Sequence, residues 1–173
     1  SLIVFFSISI TILVLEILVR VFGSQGAYTV SQYPKEMFGG SVVTNLKSNF
    51  QGQFPKSEIY GEIKINSKGL RDLERSYEKQ TGNYRILGLG DSFAFGHGIP
   101  LKESYLSLLE KKLQNKLGDH LEVIKAGSPG IGPNEYLSIL EQEGVKYNPD
   151  LILVSFFVGN DVNGDITIDN AQQ

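Results

Sequence analysis

The stretch YRILGLGDSFAFGHG, residues 84–98, divides into two halves with different chemistry. RILGL is a short apolar run closed by glycine, the pattern of a strand buried on both faces of a parallel sheet. GDSFAFG is a turn of small and polar residues around Ser92. Three roles are open to a serine at that point. It can cap a following helix, act as a nucleophile, or belong to a phosphate-binding loop.

Downstream, the pattern becomes regular. Residues 103–117 set Leu106, Leu109, Leu113 and Leu117 at helical spacing, and Gly118 supplies the stop. LEVIKA, residues 121–126, predicts a second strand. Residues 133–143 predict a second helix, with Pro133 in its first turn and Gly144 just past its end. Residues 151–157 predict a third strand, apolar enough to be central. The alternation β-α-β-α-β specifies the α/β class, a parallel sheet with helices on both faces. Open sheets of this kind bind ligands beyond the carboxyl ends of their strands. There the three strands run into GDSFAFG, GSPGIG and GNDVNG, which are expected to converge at one edge.

The chain of 173 residues has room for one domain and an appendage. Its net charge of -3, with no dense Lys/Arg cluster, gives no footprint for nucleic acid. It has no cysteine, which excludes a thiol nucleophile, a disulfide scaffold and a Cys-based zinc site. Residues 2–22 are apolar apart from scattered Ser and Thr, with Glu16 and Arg20 four apart near the end. As a helix this run is about 31 Å long, the thickness of a bilayer's hydrocarbon core, and reads as a transmembrane helix. A cleaved signal peptide and a buried core helix are the alternatives. The expected organisation is a transmembrane helix at 1–22, an irregular β-containing connecting region at 23–82, and the α/β domain at 83–173. In the connecting region GEIKIN reads as strand and NSKG as a turn. The start without methionine and the stop at DITIDNAQQ read as a fragment.

A nucleophilic serine needs donors for the oxyanion. Gly130, in GSPGIG, offers a backbone N–H that no side chain obstructs, and Asn160, in GND, offers a side-chain amide. With the Ser92 N–H these make three donors from three loops. The combination resembles the SGNH (GDSL-type) hydrolase family, in its membrane-anchored bacterial form, across residues 83–163. GDSFAFG is similar to the family's first block, the glycine in KAGSPGIG to its second and GND to its third. INSKGLRDLE resembles a segment that precedes the first block. The resemblance implies a flavodoxin-like three-layer α/β/α fold, Ser92 as nucleophile, and Gly130 and Asn160 as oxyanion donors, without metal or cofactor. It implies a serine esterase acting on a small-molecule ester, a lipid or an acylated glycan. The apolar run implies a single-pass membrane protein; it does not fix the orientation, and the envelope reading of the resemblance implies a domain on the periplasmic or extracellular side.

The family's fourth block, D-x-x-H, is absent, since no histidine follows His120. The base is therefore expected beyond Gln173. His97 reads as a loop or rim histidine, and His120 as a neighbour of a helix C-terminus. Asp91 and Asp161 read as acceptors of backbone N–H groups that set their loops, and the spacing of Asp165 and Asp169 matches no metal loop. An O-acyltransferase with the same nucleophile and a non-catalytic envelope protein are the alternatives. A nucleotide- or flavin-binding loop fits less well, because Phe93 stands where the third glycine of G-x-G-x-x-G belongs.

Overall fold

In a computed structural model the described residues are 2–22, 33–41, 43–54, 62–159 and 161, with side chains inside the first helix described at 4–18. The predicted alternation is present. Strand β3 (Tyr84–Gly90) is followed by a short helix α2 (Ser92–Phe95) and a longer α3 (Tyr105–Leu117). Then come β4 (Leu121–Gly127), α4 (Pro133–Gln142) and β5 (Leu151–Ser155). Earlier in the chain lie α1 (Leu2–Phe22) and the short antiparallel pair β1 (Gln51–Gln53) and β2 (Glu62–Lys64).

Strands β3, β4 and β5 form a parallel sheet in the order β4-β3-β5. Alternate side chains of a strand face opposite sides, and here both sides are covered. Ile86, Leu121 and Val123 pack with Ala94 of α2 and Leu106 of α3. Leu87, Leu89, Ile124 and Ala126 pack with Tyr136 and Ile139 of α4. Burial of a side chain such as Leu87 or Ile124 contributes about 1.5–3 kcal/mol each. This is why RILGL forms the middle strand of the sheet.

The third strand departs from expectation. It ends at Ser155, so Phe156 and Phe157 belong to the following loop, and it lies at an edge of the described sheet. Among the described residues it has a neighbour on one side only, which leaves Ile152 and Val154 half exposed.

The opposite edge, β4, is closed by charge. The Glu110 carboxylate accepts from Val123 N at 3.0 Å, and the Asp72 carboxylate accepts from Lys125 N at 3.1 Å. Both carboxylates also accept from the buried Lys125 ammonium, at 2.7 Å for Glu110 and 3.0 Å for Asp72. An edge strand whose outward N–H groups are capped in this way does not template another strand.

The connecting region is more integrated than the expected boundary at residue 83 suggests. Tyr33, Met37, Leu46, Phe54, Ile63 and Ile65 form one cluster with Phe95 of α2. NSKG is a turn as predicted, with Asn66 Oδ1 accepting from Lys68 N and Leu70 N, both at 3.0 Å.

The transmembrane expectation for residues 2–22 requires correction. The run is helical, but among the described residues no helix is long and apolar enough to cross a membrane. The side chains described in it are those of residues 4–18. Within that length Ser9 and Thr11 hydroxyls donate back to the carbonyls of Phe5 and Ser7. The side chain of Arg20, the expected partner of Glu16, lies outside the described residues.

Candidate active site

The sheet register brings the three strand ends level: Gly90 of β3 stands opposite Gly127 of β4 and Ser155 of β5. The loops GDSFAFG, GSPGIG and the one after Ser155 therefore leave the same edge, as the strand pattern predicts. Two of these terminal residues must be glycine. A Cβ on Gly127 would lie 2.3 Å from Phe95 N and 2.4 Å from Ala94 C, and one on Gly90 would lie 2.7 Å from Ala94 Cβ. Their absence of side chains lets α2 rest directly on the strand ends.

The role of Ser92 is narrowed by who caps that helix. Asp91 is the N-cap, 1% exposed, and its carboxylate accepts from Phe93 N at 2.9 Å. Ser92 is the first helical residue and is half-buried, and its hydroxyl is not needed for the cap. Among the described residues that hydroxyl has no hydrogen-bond partner.

The far end of α2 is held by Arg71, from the INSKGLRDLE segment. Its guanidinium donates through Nη1 to Phe95 O at 3.0 Å and Gly96 O at 2.6 Å. Through Nη2 it donates to Glu62 O at 3.0 Å and Ile99 O at 2.9 Å. It also lies over the rings of Phe54 and Phe95. Burial pushes its pKa down to about 10, so it stays charged at neutral pH. Carbonyls left open at a helix C-terminus are thus satisfied by one fixed cation. Nothing in the helical or strand periodicity pointed to Arg71; only the resemblance of its segment marked it.

In the second loop Ser128 N donates to Gly90 O at 3.1 Å, and Ser128 Oγ donates to Thr44 O at 3.0 Å. Gly130 sits at the exposed tip in the left-handed region, φ 73°, with nothing within 4 Å of a Cβ position. In the third loop Asp161 is 2% exposed and accepts from Phe157 N at 2.7 Å and from the Tyr136 hydroxyl at 3.1 and 3.2 Å. Burial, then the charges of Asp161 and Asp91, push the Tyr136 pKa up, so its hydroxyl remains a proton donor. Asp91 and Asp161 therefore brace their loops, each gripping a backbone N–H, as the sequence reading expects. Asn160, the expected third donor, lies outside the described residues, as do Asp165 and Asp169.

Sequence reasoning missed Tyr105 and Tyr136. The Tyr105 hydroxyl shares a hydrogen bond with Ser155 Oγ at the end of β5, and Tyr136 reaches Asp161 from α4. Helical spacing alone marks Tyr136 as core, which it also is.

One histidine is remote from this edge and the other is paired with a tyrosine. His120 precedes β4, at the opposite end of that strand from Gly127, roughly 20 Å along the sheet at about 3.3 Å per residue. Its ring lies beside Gly118, the C-cap of α3, as expected of it. His97 follows α2, and its Nδ1 and the Tyr33 hydroxyl are 2.6 Å apart. Its ring packs against those of Tyr33 and Phe54.

Burial first, and the Arg71 charge second, push the His97 pKa below its ordinary value. A histidine depressed in the folded state contributes stability that is fully present above the unfolded pKa of about 6.5. That stability is lost as pH falls through the folded value. Resistance to urea is therefore expected to fall as the pH is lowered from 7 to about 5. His97→Phe is expected to remove the part of that slope nearest pH 6.5, which urea midpoints measured across the range will show.

Compared with protein-family models, with curated proteins and with solved structures, the chain finds no match, so the functional reading rests on the geometry of these three loops and on the motifs that build them.

Proposed function

We propose that the protein is a serine esterase of the SGNH type, with Ser92 as the nucleophile and the N–H groups of Ser92 and Gly130 and the side chain of Asn160 as oxyanion donors. The single observation that carries this reading is the division of labour at the start of α2. Asp91 does the capping and Arg71 holds the other end, which leaves the Ser92 hydroxyl uncommitted at an edge where three loops meet.

The chemistry follows from that arrangement. Ser92 Oγ adds to the ester carbonyl while its proton passes to a base. The alcohol leaves with that proton, and the acyl group remains on Oγ. Water then cleaves the acyl-enzyme, returning a carboxylic acid and the free serine. An acceptor hydroxyl in place of water gives acyl transfer from the same intermediate. The base is assigned to a residue outside those described, since His97 is paired with Tyr33 and His120 precedes β4 at the end away from Ser92.

That same placement of the histidines favours a second reading, a non-catalytic protein that keeps the fold. An alkyl fluorophosphonate applied to the full-length protein separates the two. Covalent modification mapped to Ser92 by peptide mass supports the esterase. Absence of modification on folded protein favours the non-catalytic reading.

A further inference from the structure

Two aromatic rings stand in the open beside Ser92. Phe93, the residue that follows the nucleophile, is 60% exposed, and Phe157, 64 positions later on the third loop, is 40% exposed. Their ring centroids are 4.7 Å apart with an interplanar angle of 46°. Val158 continues the apolar surface on the same loop and is exposed as well.

The backbones that carry these rings are held. The backbone N–H of Phe93 is held by the buried carboxylate of Asp91, and that of Phe157 by the buried carboxylate of Asp161. Asp161 is in turn held by the Tyr136 hydroxyl. Each exposed ring is thus carried on a backbone gripped by a buried acid. Water-facing aromatic area carried on a held backbone is what a binding subsite uses: contact area at a reduced ordering cost on binding.

We infer that Phe93 and Phe157 form an acyl-chain shelf, which makes medium-chain acyl esters the substrate class rather than acetyl esters. The inference rests on Ser92 being the nucleophile. In the acyl-enzyme the acyl carbon is bonded to Ser92 Oγ, and the Cα of Phe93 is about 3.8 Å from that of Ser92, so a chain of several carbons can reach this surface. An acetyl group is too short to cover it. An octanoyl chain can lie across both rings and remove apolar area from water on each side.

The test uses the full-length protein and p-nitrophenyl esters of constant leaving group, acetate and octanoate. The ratio of kcat/KM for octanoate over acetate is expected to exceed one, and to fall about tenfold in Phe93→Ala and in Phe157→Ala. A ratio that both variants leave unchanged overturns the shelf while the esterase reading stands. If neither ester is turned over and a fluorophosphonate leaves Ser92 unmodified, the nucleophile reading falls and the shelf falls with it.

Discussion

Ser92→Ala in the full-length protein is expected to lower ester turnover by about three to six orders of magnitude and to leave the unfolding midpoint nearly unchanged. The two halves of that expectation come from different atoms. The rate loss follows because covalent catalysis has no substitute for the attacking oxygen, so what remains is binding and oxyanion stabilisation alone. The unchanged midpoint follows from the cap. Were Ser92 the N-cap, alanine there would cost about 1 kcal/mol. The acceptor for Phe93 N is instead Asp91, and Ser92 is already helical, where alanine is favoured. Parallel steady-state kinetics and thermal unfolding of the variant check both halves. A stability loss matching the activity loss would show that Ser92 is structural.

Lys125→Met is expected to be the most destabilising single change outside the hydrophobic core, by about 3–5 kcal/mol, because it strands buried carboxylates. The Lys125 ammonium is 3% exposed and donates to Asp72, Glu110 and the carbonyl of Val123. The Asp72 side chain is fully buried, and without Lys125 its remaining cation is Arg75 at 3.6 Å. Arg75 also serves Glu110, at 2.6 Å.

The loss should depend on pH. Burial pushes the Glu110 pKa up, but Lys125, the Val123 N–H and Arg75 outweigh it and hold that carboxyl below its ordinary value. Its folded pKa being depressed, the stability it contributes is present above the unfolded pKa of about 4.3 and is lost as pH falls through the folded value. The gap between wild type and Lys125→Met in urea midpoint should therefore be wider at neutral pH than near pH 4. An equal gap at both would show that packing, not charge, holds this edge.

The legible parts of the fold were those governed by local periodicity. RILGL, LEVIKA and the leucine spacing of residues 103–117 each encode one element, and the small residues after each strand encode where the chain turns. Element ends were less legible. The third strand stops at Ser155, two residues earlier than its apolar run suggests, because the loop beyond is drawn into the Asp161 hydrogen bonds. Lys125 was illegible for a related reason. In LEVIKAG a lysine looks like a solvated position, and only the approach of Asp72 and Glu110 from distant segments makes its burial tolerable. The helical character of residues 2–22 was readable from composition, whereas a membrane crossing was more than the described helix carries.

By itself the sequence determined the order of strands and helices, the parallel class of the sheet, and the placing of Ser92 and Gly130 in the loops after β3 and β4. All of these follow from side-chain period and from the backbone freedom of glycine, which are local properties. The tertiary structure decided which polar groups are already committed. It gave the cap to Asp91 and the helix end to Arg71. It tied His97 to Tyr33, and it set Phe93 against Phe157. The cap is a contact two residues long, but the other three assignments depend on contacts between residues 24 to 64 positions apart, and no local pattern encodes which distant segment arrives at a given atom.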